Sequence, residues 1–544
     1  MPVVTFDYTD FINLLGHPIE KNELINKLPM IGADLDKVEG DEISIEFFPN
    51  RPDLTSVEGI ARAARAFFGF KTGLTTYPIQ PSDITLQVDP SVKKVRPYVV
   101  TALVKNVQMS DELIASLMGL QEKLHFGLGR NRKKVAIGVH NYEPVFPPFT
   151  YTAVDPDAVQ FIPLQKTEYM TLRDILTKHE KGVDYAHILE GYDRYPLILD
   201  KNNNVLSFPP IINGSLTEVT PYTTELFIDV TGTDPQAIHH ALTIVSTALA
   251  ERGGIIYSTT VIDGNEKKNT PNLNPHTQTL RTTYVNTILG TSLKNEEIQT
   301  ALHKMGYNTT IIDTEKLGVD IPAWRSDILH EIDLVEDVAV GYGYDKFSTD
   351  FPQAQTFGKT LPQQHLFTNL RYSMIGLGFT EVTTFTISNP RDELTNLGLK
   401  NQDLVTIQNP IGEDYSALRI HLLPSLLKIL RENRHHPLPQ QIFELGPIVI
   451  ASGKNEFHLG GIKIGAKANF TECKGLVEAI LRNLGMHLSI KELKHPGFIA
   501  GRCATITDKT TEIGWLGELH PQTIQAFDLD HPIIAFELNC STLF

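Results

Sequence analysis

The sequence predicts an α+β protein built from several domains. Its 544 residues correspond to roughly three or four domains at ~150 residues each. Segments rich in β-branched residues alternate with amphipathic helical segments, a pattern typical of mixed α/β domains. Polar stretches that contain proline, glycine or asparagine separate these segments and mark domain boundaries. We therefore predict four domains, at 1–83, 84–262, 273–348 and 350–544.

The first two domains are predicted from helical and strand-like patterns. In the first, apolar residues recur at helical spacing from Val57 onward. The second contains strand-like runs at 97–107 and 135–139 and an amphipathic helix at 236–251. Short strands interrupted by helices and proline-rich turns favour a mixed α+β domain here.

The last two domains differ in size and pattern. In the third, helices are expected near 285–289 and 295–305, followed by a strand and a second strongly patterned helix. The fourth is predicted to be an antiparallel sheet with flanking helices. Its predicted strands lie at 380–388, 441–450, 459–464, 503–506 and 533–538.

The composition excludes several classes of protein. It is 41% hydrophobic and 21% charged, as expected for an ordinary globular protein. No apolar run approaches the ~18–20 residues that a bilayer span requires, so we expect no membrane association. The first residues form neither a basic segment nor an apolar core, which argues against a signal peptide. The three cysteines are far apart, which favours a reducing, cytoplasmic compartment over a disulfide framework.

The charge balance argues against a protein that binds nucleic acid over its whole surface. The formal net charge is −16, and such a surface repels phosphates. The densest basic run is Arg130–Lys134, and a run this short is more often a solvated strand or loop than a nucleic-acid site. We therefore expect a partner chain to supply most of the neutralisation of any bound phosphates.

Acidic residues recur at helical spacing near position 335. Asp333, Glu336 and Asp337 lie at i, i+3 and i+4, so their carboxylates share one helix face. The opposite, buried face is expected to consist of Ile332, Val335 and Ala339. Asp327 precedes the helix, where it can cap the helix or turn toward the same acids. Like charges repel by roughly 0.2–0.5 kcal/mol per pair, and oxygen ligands suit Mg²⁺. Spacing alone leaves a solvated acidic face and a Mg²⁺ site as open interpretations.

Four segments resemble phenylalanyl-tRNA synthetase β-subunits, in the order and spacing of that family. They are 48–62 (FPNRPDLTSVEGIAR), 227–234 (FIDVTGTD), 324–344 (from Trp-Arg through DLVED to GYGY) and 517–521 (GELHP). We see no oligonucleotide-fold insertion after residue 75 and no anticodon-binding module after the last domain. The chain therefore resembles the archaeal and eukaryotic-cytosolic form of the family.

The resemblance implies that the small third domain is winged-helix-like and binds Mg²⁺ through four acids. Those positions correspond here to Asp327, Asp333, Glu336 and Asp337. The last is aspartate where the family often has glutamate, which keeps the charge and shortens the side chain.

The resemblance also implies that the second domain is an editing hydrolase. Tyrosine differs from phenylalanine by one hydroxyl, and an apolar pocket rejects an added hydroxyl only about 10²-fold. An enzyme that charges phenylalanine therefore makes some Tyr-tRNA, which a second site can hydrolyse. The residues that match the family's editing pocket are Leu197, Ser207, Asp229 and Thr231. We expect Leu197 to shape the pocket wall.

The polar members of this set suggest how the pocket works. Asp229 and Thr231 alternate on a strand, so both side chains point to one face of the sheet. Asp229 can accept a hydrogen bond from the tyrosine hydroxyl or orient the attacking water, while Ser207 and Thr231 can position the water or the ester. His140 is interpreted as a structural residue, and residues 132–133 are candidates to meet the acceptor end of tRNA.

The last domain resembles the catalytic fold of class II synthetases without its phosphate-binding groups. The predicted closing strand, 532–538, contains neither glycine nor arginine. Without cationic donors, the charge that develops during adenylate formation has no preorganised partner. We therefore predict a non-catalytic domain and an α subunit that binds ATP and attaches phenylalanine to tRNA(Phe), within an (αβ)₂ heterotetramer.

Two other functions remain open at this point. The chain is alternatively a free-standing aminoacyl-tRNA deacylase, which the large synthetase-like last domain argues against. The third domain is alternatively a winged-helix DNA-binding module of a regulator. An acidic helix face in place of a basic recognition helix argues against DNA binding.

Overall fold

A computed structural model describes residues 3–352, 356–400, 402–508 and 511–543. Its contacts divide the chain into two compact units, Met1–Asp350 and Phe351–Phe544. Both contain helices and sheets, which confirms the predicted mixed α/β, multidomain class; the domain divisions within the first unit stay predictions. Within the described ranges, no helix is both long enough and apolar enough to cross a membrane.

The first unit begins with a three-stranded antiparallel sheet and three helices. They are β1 (Val3–Asp7), α1 (Tyr8–Leu15), α2 (Lys21–Lys27), β2 (Ala33–Glu39), β3 (Glu42–Phe47) and α3 (Val57–Phe67). The strand order is β1-β3-β2. Asp7 caps α1 by accepting from the backbone N–H of Thr9 and Asp10, and Ser56 caps α3 by accepting from Gly59. The Ser56 cap fixes the start of the helix that the apolar spacing from Val57 onward predicts.

The middle of the first unit contains two larger sheets. Its helices are α4 (Asp111–Phe126), α5 (Leu172–Lys178), α6 (Glu180–Tyr185) and α7 (Pro235–Glu251). Its strands are β4 (Ile79–Gln80), β5 (Thr85–Val88), β6 (Tyr98–Lys105), β7 (Val135–Asn141), β8 (Phe149–Val154), β9 (Gln160–Phe161), β10 (Met170–Thr171), β11 (Tyr195–Leu199), β12 (Val205–Phe208), β13 (Ile212–Asn213), β14 (Leu226–Gly232), β15 (Ile255–Tyr257), β16 (Thr259–Asp263) and β17 (Glu266–Thr270). One sheet has the order β4-β15-β6-β14-β7, and the other has the order β13-β12-β11-β8-β5-β16-β17.

Strand β14 places the predicted polar residues between the two sheets. All seven of its residues are buried, because one face packs on helices and the other on the second sheet. Ile228 and Val230 belong to the core that includes residues of α4 and α7. Phe227 belongs to the core shared with the second sheet. Because side chains alternate along a strand, Asp229 and Thr231 share the face of Phe227.

The third part of the first unit packs three helices on a small sheet. The elements are β18 (His276–Arg281), α8 (Thr282–Leu289), α9 (Asn295–Lys304), β19 (Asn308–Asp313), β20 (Lys316–Ile321) and α10 (Glu331–Tyr342). Val335 and Ala339 are buried as predicted, but Ile332 is 41% exposed and Asp337 only 6% exposed. The predicted faces of α10 were therefore partly wrong: the helix turns Asp337 inward beside Val338 and Ile332 outward.

The second unit is built on a seven-stranded sheet in the order β21-β24-β25-β29-β28-β27-β26, with a separate two-stranded sheet. Its helices are α11 (Pro362–Gly376), α12 (Pro390–Glu393), α13 (Leu423–Glu432), α14 (Phe470–Asn483) and α15 (Pro521–Ala526). Its strands are β21 (Thr380–Glu381), β22 (Ile387–Ser388), β23 (Ala417–Leu418), β24 (Gln440–Val449), β25 (Asn455–Ile464), β26 (Ser489–Glu492), β27 (Phe498–Asp508), β28 (Thr511–Leu519) and β29 (Ile533–Asn539).

The large sheet is antiparallel except where β21 pairs in parallel with β24. The strand predicted at 380–388 was wrong as one element. It divides into β21 and β22, which belong to different sheets, because residues 382–386 leave the large sheet. The three cysteines, Cys473, Cys503 and Cys540, are buried and free.

Candidate functional sites

A cavity of about 370 Å³ opens beside strand β7, helix α4 and the segment 207–219. This volume is of the size that binds small organic groups. Ser207, Asp229 and Thr231, three of the four predicted pocket residues, line it. Leu197 is not among the lining residues. It is fully buried in a core with Phe208 and Ile211, so it supports the wall from behind instead of facing the cavity.

Asp229 is held by a buried histidine, His140, which the sequence predicts to be structural. His140 Nε2 lies 2.7 Å from Asp229 Oδ2, and His140 Nδ1 lies 2.8 Å from the Thr217 hydroxyl. His140 is fully buried and Asp229 is 1% exposed. A carboxylate only accepts, so Nε2 carries the proton and, in the neutral ring, Nδ1 accepts from Thr217. His140 is thus a satisfied structural residue, as predicted, and it also positions Asp229.

A glycine makes room for this pair. Gly138 lies opposite Asp229 in the register of β7 and β14. A Cβ at Gly138 would lie 2.2 Å from Asp229 Oδ2 and 2.7 Å from His140 Nε2. Any larger residue would therefore force the carboxylate and the imidazole apart.

The Asp229 carboxylate keeps one oxygen for a ligand. Ser207 Oγ donates to Asp229 Oδ2 at 3.4 Å, and His140 binds the same oxygen. Both of these hydrogen bonds are made to Oδ2, and neither involves Oδ1, among the residues that the structure describes. The cavity wall thus presents an acceptor oxygen whose orientation is fixed by its neighbour, an arrangement suited to binding a hydroxyl donor.

Thr231 is oriented by a buried arginine. Arg96 donates through Nε to Thr231 Oγ1 at 2.9 Å and through Nη2 to the Thr231 carbonyl at 2.7 Å. Burial lowers the pKa of the Arg96 guanidinium to about 10, against the opposing effects of Tyr151 and Asp229. Because Thr231 Oγ1 accepts from Arg96, its hydroxyl proton remains available to a ligand or to water.

Two of the four predicted metal ligands, Asp327 and Asp337, bind a buried arginine instead of facing solvent. Arg325 is 3% exposed, and its Nη2 lies 2.7 Å from both Asp327 Oδ2 and Asp337 Oδ2. The Tyr307 hydroxyl also donates to Asp337 Oδ2. Asp327 therefore does not cap α10. It turns toward Asp337 through the shared guanidinium, the second of the two arrangements considered from the sequence.

The other two predicted ligands, Asp333 and Glu336, lie in different environments. Asp333 Oδ2 accepts from the backbone N–H of Leu329 and His330 at 2.8 and 2.7 Å, so it caps α10. Glu336 is exposed. Partial burial and the negative charges of Asp337, Asp327 and Asp333 raise the pKa of Glu336. Because the cluster holds four carboxylates and the single guanidinium of Arg325, it keeps an excess of negative charge.

The donor chemistry suits Mg²⁺, but the observed geometry does not form a metal site. Carboxylate oxygens are the ligands that Mg²⁺ prefers. Across the described ranges, however, no three His, Cys, Asp or Glu residues are arranged to hold a metal ion. Arg325 occupies the position between Asp327 and Asp337, so a bound cation would require these side chains to rearrange.

The second unit has its own buried charges, and its buried Arg419 is fully hydrogen-bonded. Arg419 is 0% exposed. Its Nη2 donates to Glu444 Oε1 at 2.8 Å, its Nη1 to Thr384 Oγ1 at 2.7 Å and its Nε to the Pro447 carbonyl at 2.9 Å. On the closing strand β29, Glu537 lies 2.6 Å from His458 Nδ1. Glu537 on the large sheet and Arg419, which follows β23, thus present an acid and a neutralised arginine, which do not suit phosphate binding.

Comparison with known proteins identifies the family. The model for the phenylalanyl tRNA synthetase beta chain CLM domain matches residues 348–540, and the model for the tRNA synthetase B5 domain matches residues 278–344. The chain is similar to an N-terminal fragment of the phenylalanyl-tRNA synthetase beta-subunit from Pyrococcus horikoshii. That crystal structure has a TM-score of 0.61 and 36% identity, covering 63% of this chain and 99% of the fragment.

Full-length relatives agree with these matches. Phenylalanine–tRNA ligase beta subunits from Methanothrix thermoacetophila and Archaeoglobus fulgidus are each 43% identical, covering 99% and 100% of this chain and 100% and 99% of their own lengths. The Methanosarcina acetivorans beta subunit is 44% identical over 100% of this chain and 99% of its own length. The chain therefore belongs to the family of phenylalanine–tRNA ligase beta subunits.

Proposed function

We propose that this β-subunit hydrolyses Tyr-tRNA(Phe) in the cavity lined by Ser207, Asp229 and Thr231, and that its partner α subunit attaches phenylalanine. The observation that carries the proposal is the fixed acceptor oxygen of Asp229 in a partly open, mainly apolar cavity. A phenol hydroxyl is the donor that distinguishes tyrosine from phenylalanine. A site built to bind that hydroxyl leaves one oxygen of the buried Asp229 carboxylate without a donor when phenylalanine enters, so it favours the wrong ester for hydrolysis.

The polar residues of the cavity have different roles in the proposed reaction. Asp229 Oδ1 accepts from the phenol hydroxyl, and His140 holds the carboxylate in place. The hydroxyls of Ser207 and Thr231 bind the ester or the attacking water. In hydrolysis, the water oxygen bonds to the ester carbonyl carbon, the bond to the ribose oxygen breaks, and that oxygen takes up a proton. The products are free tyrosine and uncharged tRNA(Phe).

The proposal that ATP binds to the α subunit, and not to this chain, rests on the second unit. The Arg419 guanidinium already donates hydrogen bonds to Glu444 and Thr384. Strand β29 contributes Glu537 instead of a cation. ATP phosphates thus find no free buried cation at these positions. We infer that ATP binds to the α subunit and that two copies of each chain form a cytoplasmic (αβ)₂ heterotetramer acting on tRNA(Phe). The relatives' designation as beta subunits supports a partner chain over a free-standing deacylase.

We also propose that Mg²⁺ binds at Asp327, Asp333, Glu336 and Asp337. The support is the excess negative charge around Arg325: burial, together with the charges of Asp337, Asp327 and Asp333, raises the pKa of Glu336. The cation would screen the repulsion among these carboxylates. Because Arg325 already bridges Asp327 and Asp337, binding must compete with that ion pair.

The editing proposal is tested with an Asp229→Ala variant in the complex with the α subunit. We expect phenylalanine charging to continue while Tyr-tRNA(Phe) accumulates, because the discriminating acceptor is gone. The loss of a hydrogen bond to a charged group corresponds to about 10- to 150-fold slower hydrolysis. Unchanged deacylation of Tyr-tRNA(Phe) by this variant would exclude the proposed role of Asp229.

A further inference from the structure

The segment that joins α4 to β7 lies beside the editing cavity. It comprises residues 127–134, and residues of both flanking elements line the cavity. Arg132, within the segment, is itself a lining residue. A tRNA whose terminal ester enters the cavity is therefore brought close to this segment.

The segment has an uncommon backbone that accompanies a division of its side chains. Arg130, Asn131 and Arg132 have successive φ values of 48°, 52° and 65°, a left-handed region that residues other than glycine seldom adopt. Arg132 is 8% exposed and donates to Glu122 at 2.7 Å, whereas Arg130 and Lys133 are exposed. The basic run is thus a turn with one buried member. Of the two residues that the sequence suggests for contact with the acceptor end, 132 and 133, only Lys133 remains accessible.

The protein does not balance the charges of Arg130 and Lys133. Across the described ranges, neither residue forms an ion pair with a carboxylate. The other two cations of the run have acidic partners, in the pairs Arg132–Glu122 at 2.7 Å and Lys134–Asp234 at 3.0 Å. In a chain with a formal net charge of −16, two unpaired cations in one turn make a local surface that attracts phosphate where most of the molecule repels it.

Phe126 presents an exposed aromatic ring on the same surface. It is the last residue of α4 and is 73% exposed. Met118 and Glu122, which precede it at intervals of four residues, both line the cavity, so one face of the helix runs from the cavity to the ring. A lone exposed phenylalanine is common on protein surfaces. Its position between a cavity and two unpaired cations favours a ligand.

Backbone hydrogen bonds hold the ring and the cations close together. The N–H of Asn131 donates to the Phe126 carbonyl at 3.4 Å, and the N–H of Lys133 donates to the Arg130 carbonyl at 3.3 Å. The chain therefore folds back on itself between the ring and the second cation. The three side chains belong to one compact turn.

We propose that Phe126, Arg130 and Lys133 bind the unpaired 3′ end of the misacylated tRNA. A base stacks on the Phe126 ring, and the two cations contact backbone phosphates. Proteins bind single-stranded nucleic acids through this combination of aromatic rings for bases and cations along the backbone. The inference rests on the proposed editing function and deepens it: Asp229 recognises the amino acid, and the turn binds the nucleic acid that carries it.

The variants separate stacking from charge. Phe126→Ala removes the ring, and Phe126→Tyr keeps an aromatic surface. Arg130→Gln/Lys133→Gln removes both charges, and Arg130→Lys/Lys133→Arg keeps them. Phe146→Ala is the matched control for the ring, because Phe146 is 54% exposed and follows the opposite end of β7. Lys316→Gln is the control for charge, because Lys316 is an exposed residue of β20.

The measurement is single-turnover hydrolysis of Tyr-tRNA(Phe) by the complex of this chain with its α subunit, at several salt concentrations. The quantity compared is the maximal rate divided by the half-saturating enzyme concentration. Phe126→Ala should lower it about 5- to 150-fold. Arg130→Gln/Lys133→Gln should reduce its logarithmic salt slope by about 1.4, because each phosphate contact of a single strand contributes about 0.7. The conservative variants and both controls should stay within about twofold of wild type.

A second readout distinguishes this surface from the amino-acid pocket. The turn binds the part that Tyr-tRNA(Phe) and Phe-tRNA(Phe) share, so the ratio of their hydrolysis rates should be the same in Phe126→Ala as in the wild type. Asp229→Ala, by contrast, should lower that ratio. A changed ratio in Phe126→Ala would show that the ring acts on the amino acid and would overturn the inference.

The remaining outcomes separate this inference from the editing proposal. Wild-type hydrolysis by Phe126→Ala, with an unchanged salt slope in Arg130→Gln/Lys133→Gln, would overturn the surface and leave editing intact. A wild-type complex that hydrolyses no Tyr-tRNA(Phe) would overturn both. Loss of the α subunit with unchanged hydrolysis would identify the turn as a protein contact and overturn the inference. Phenylalanine charging reports folding, and if Phe126→Ala fails that test, the charge variant decides the question.

Discussion

Gly138→Ala should slow editing by displacing the Asp229 carboxylate, without replacing any residue to which the proposal gives a contact with the substrate. The added Cβ would lie 2.2 Å from Asp229 Oδ2 and 2.7 Å from His140 Nε2. An ordinary carbon–oxygen contact is about 3.3 Å, so the carboxylate must retreat by about 1 Å. It cannot do so and keep the 2.7 Å bond to His140, because both side chains are buried between the sheets.

The size of the effect follows from breaking the buried hydrogen bond between His140 and the Asp229 carboxylate. Losing a hydrogen bond to a charged group costs about 1.5–3 kcal/mol. The displaced carboxylate also loses its hydrogen bond to the tyrosine hydroxyl, as in Asp229→Ala. We therefore expect Gly138→Ala to slow hydrolysis of Tyr-tRNA(Phe) by about 10- to 150-fold while phenylalanine charging on the α subunit continues.

The assay is single-turnover hydrolysis of preformed Tyr-tRNA(Phe), with thermal unfolding measured in parallel. Gly119→Ala is the matched control, because a Cβ there meets only the flexible end of Lys123 at 3.3 Å. It lies inside α4, where alanine is about 0.5–1 kcal/mol more favourable than glycine. Wild-type hydrolysis by Gly138→Ala would show that the His140–Asp229 pair is not part of the editing site.

Further predictions concern the other charged clusters. Arg325→Met should lower the free energy of unfolding of the first unit by about 3–5 kcal/mol, measured by denaturant titration, because it leaves buried carboxylates without their partner; a change within error would refute the role of Arg325. Mg²⁺ at about 100 times its Kd should stabilise the wild-type chain by about 2.7 kcal/mol and leave Asp333→Asn/Glu336→Gln unaffected, whereas equal responses would count against the metal site. Burial, with the nearby His421, lowers the pKa of His495 from 6.5 to about 4. The unfolded state therefore binds more protons between these pH values, and stability should fall by about 1–2 kcal/mol as pH drops through that window, allowing for partial exposure. His495→Gln should flatten this slope, and an unaltered slope would contradict the assignment.

The arrangement along single strands could be predicted from the sequence. The two-residue period of a strand placed Asp229 and Thr231 on one face, and the structure puts both in the cavity wall. His140 was not connected to Asp229 because the two residues are separated by 89 positions. Their contact depends on the register of β7 with β14. The sequence signal was Gly138, since a glycine inside a strand often marks close approach of another group.

The acids near α10 show a second limit of prediction from the sequence. Helical spacing identified acids that lie close together, but it did not identify their counterion. Arg325 is two residues from Asp327, and both its Nε and its Nη2 donate to that carboxylate. Arg51 and Asp53 form the same two-residue pair in the N-terminal segment. An arginine two residues before an aspartate in both family motifs was the available signal that these acids are paired internally.

The proposed editing function requires the cavity in this chain to distinguish tyrosine from phenylalanine by one hydroxyl. Single-turnover hydrolysis of Tyr-tRNA(Phe) and Phe-tRNA(Phe) by the wild-type α–β complex measures this discrimination. We expect the tyrosyl ester to be hydrolysed at least about tenfold faster, because only its hydroxyl donates to Asp229. Equal rates for the two esters, or no hydrolysis of either, would exclude the proposed function.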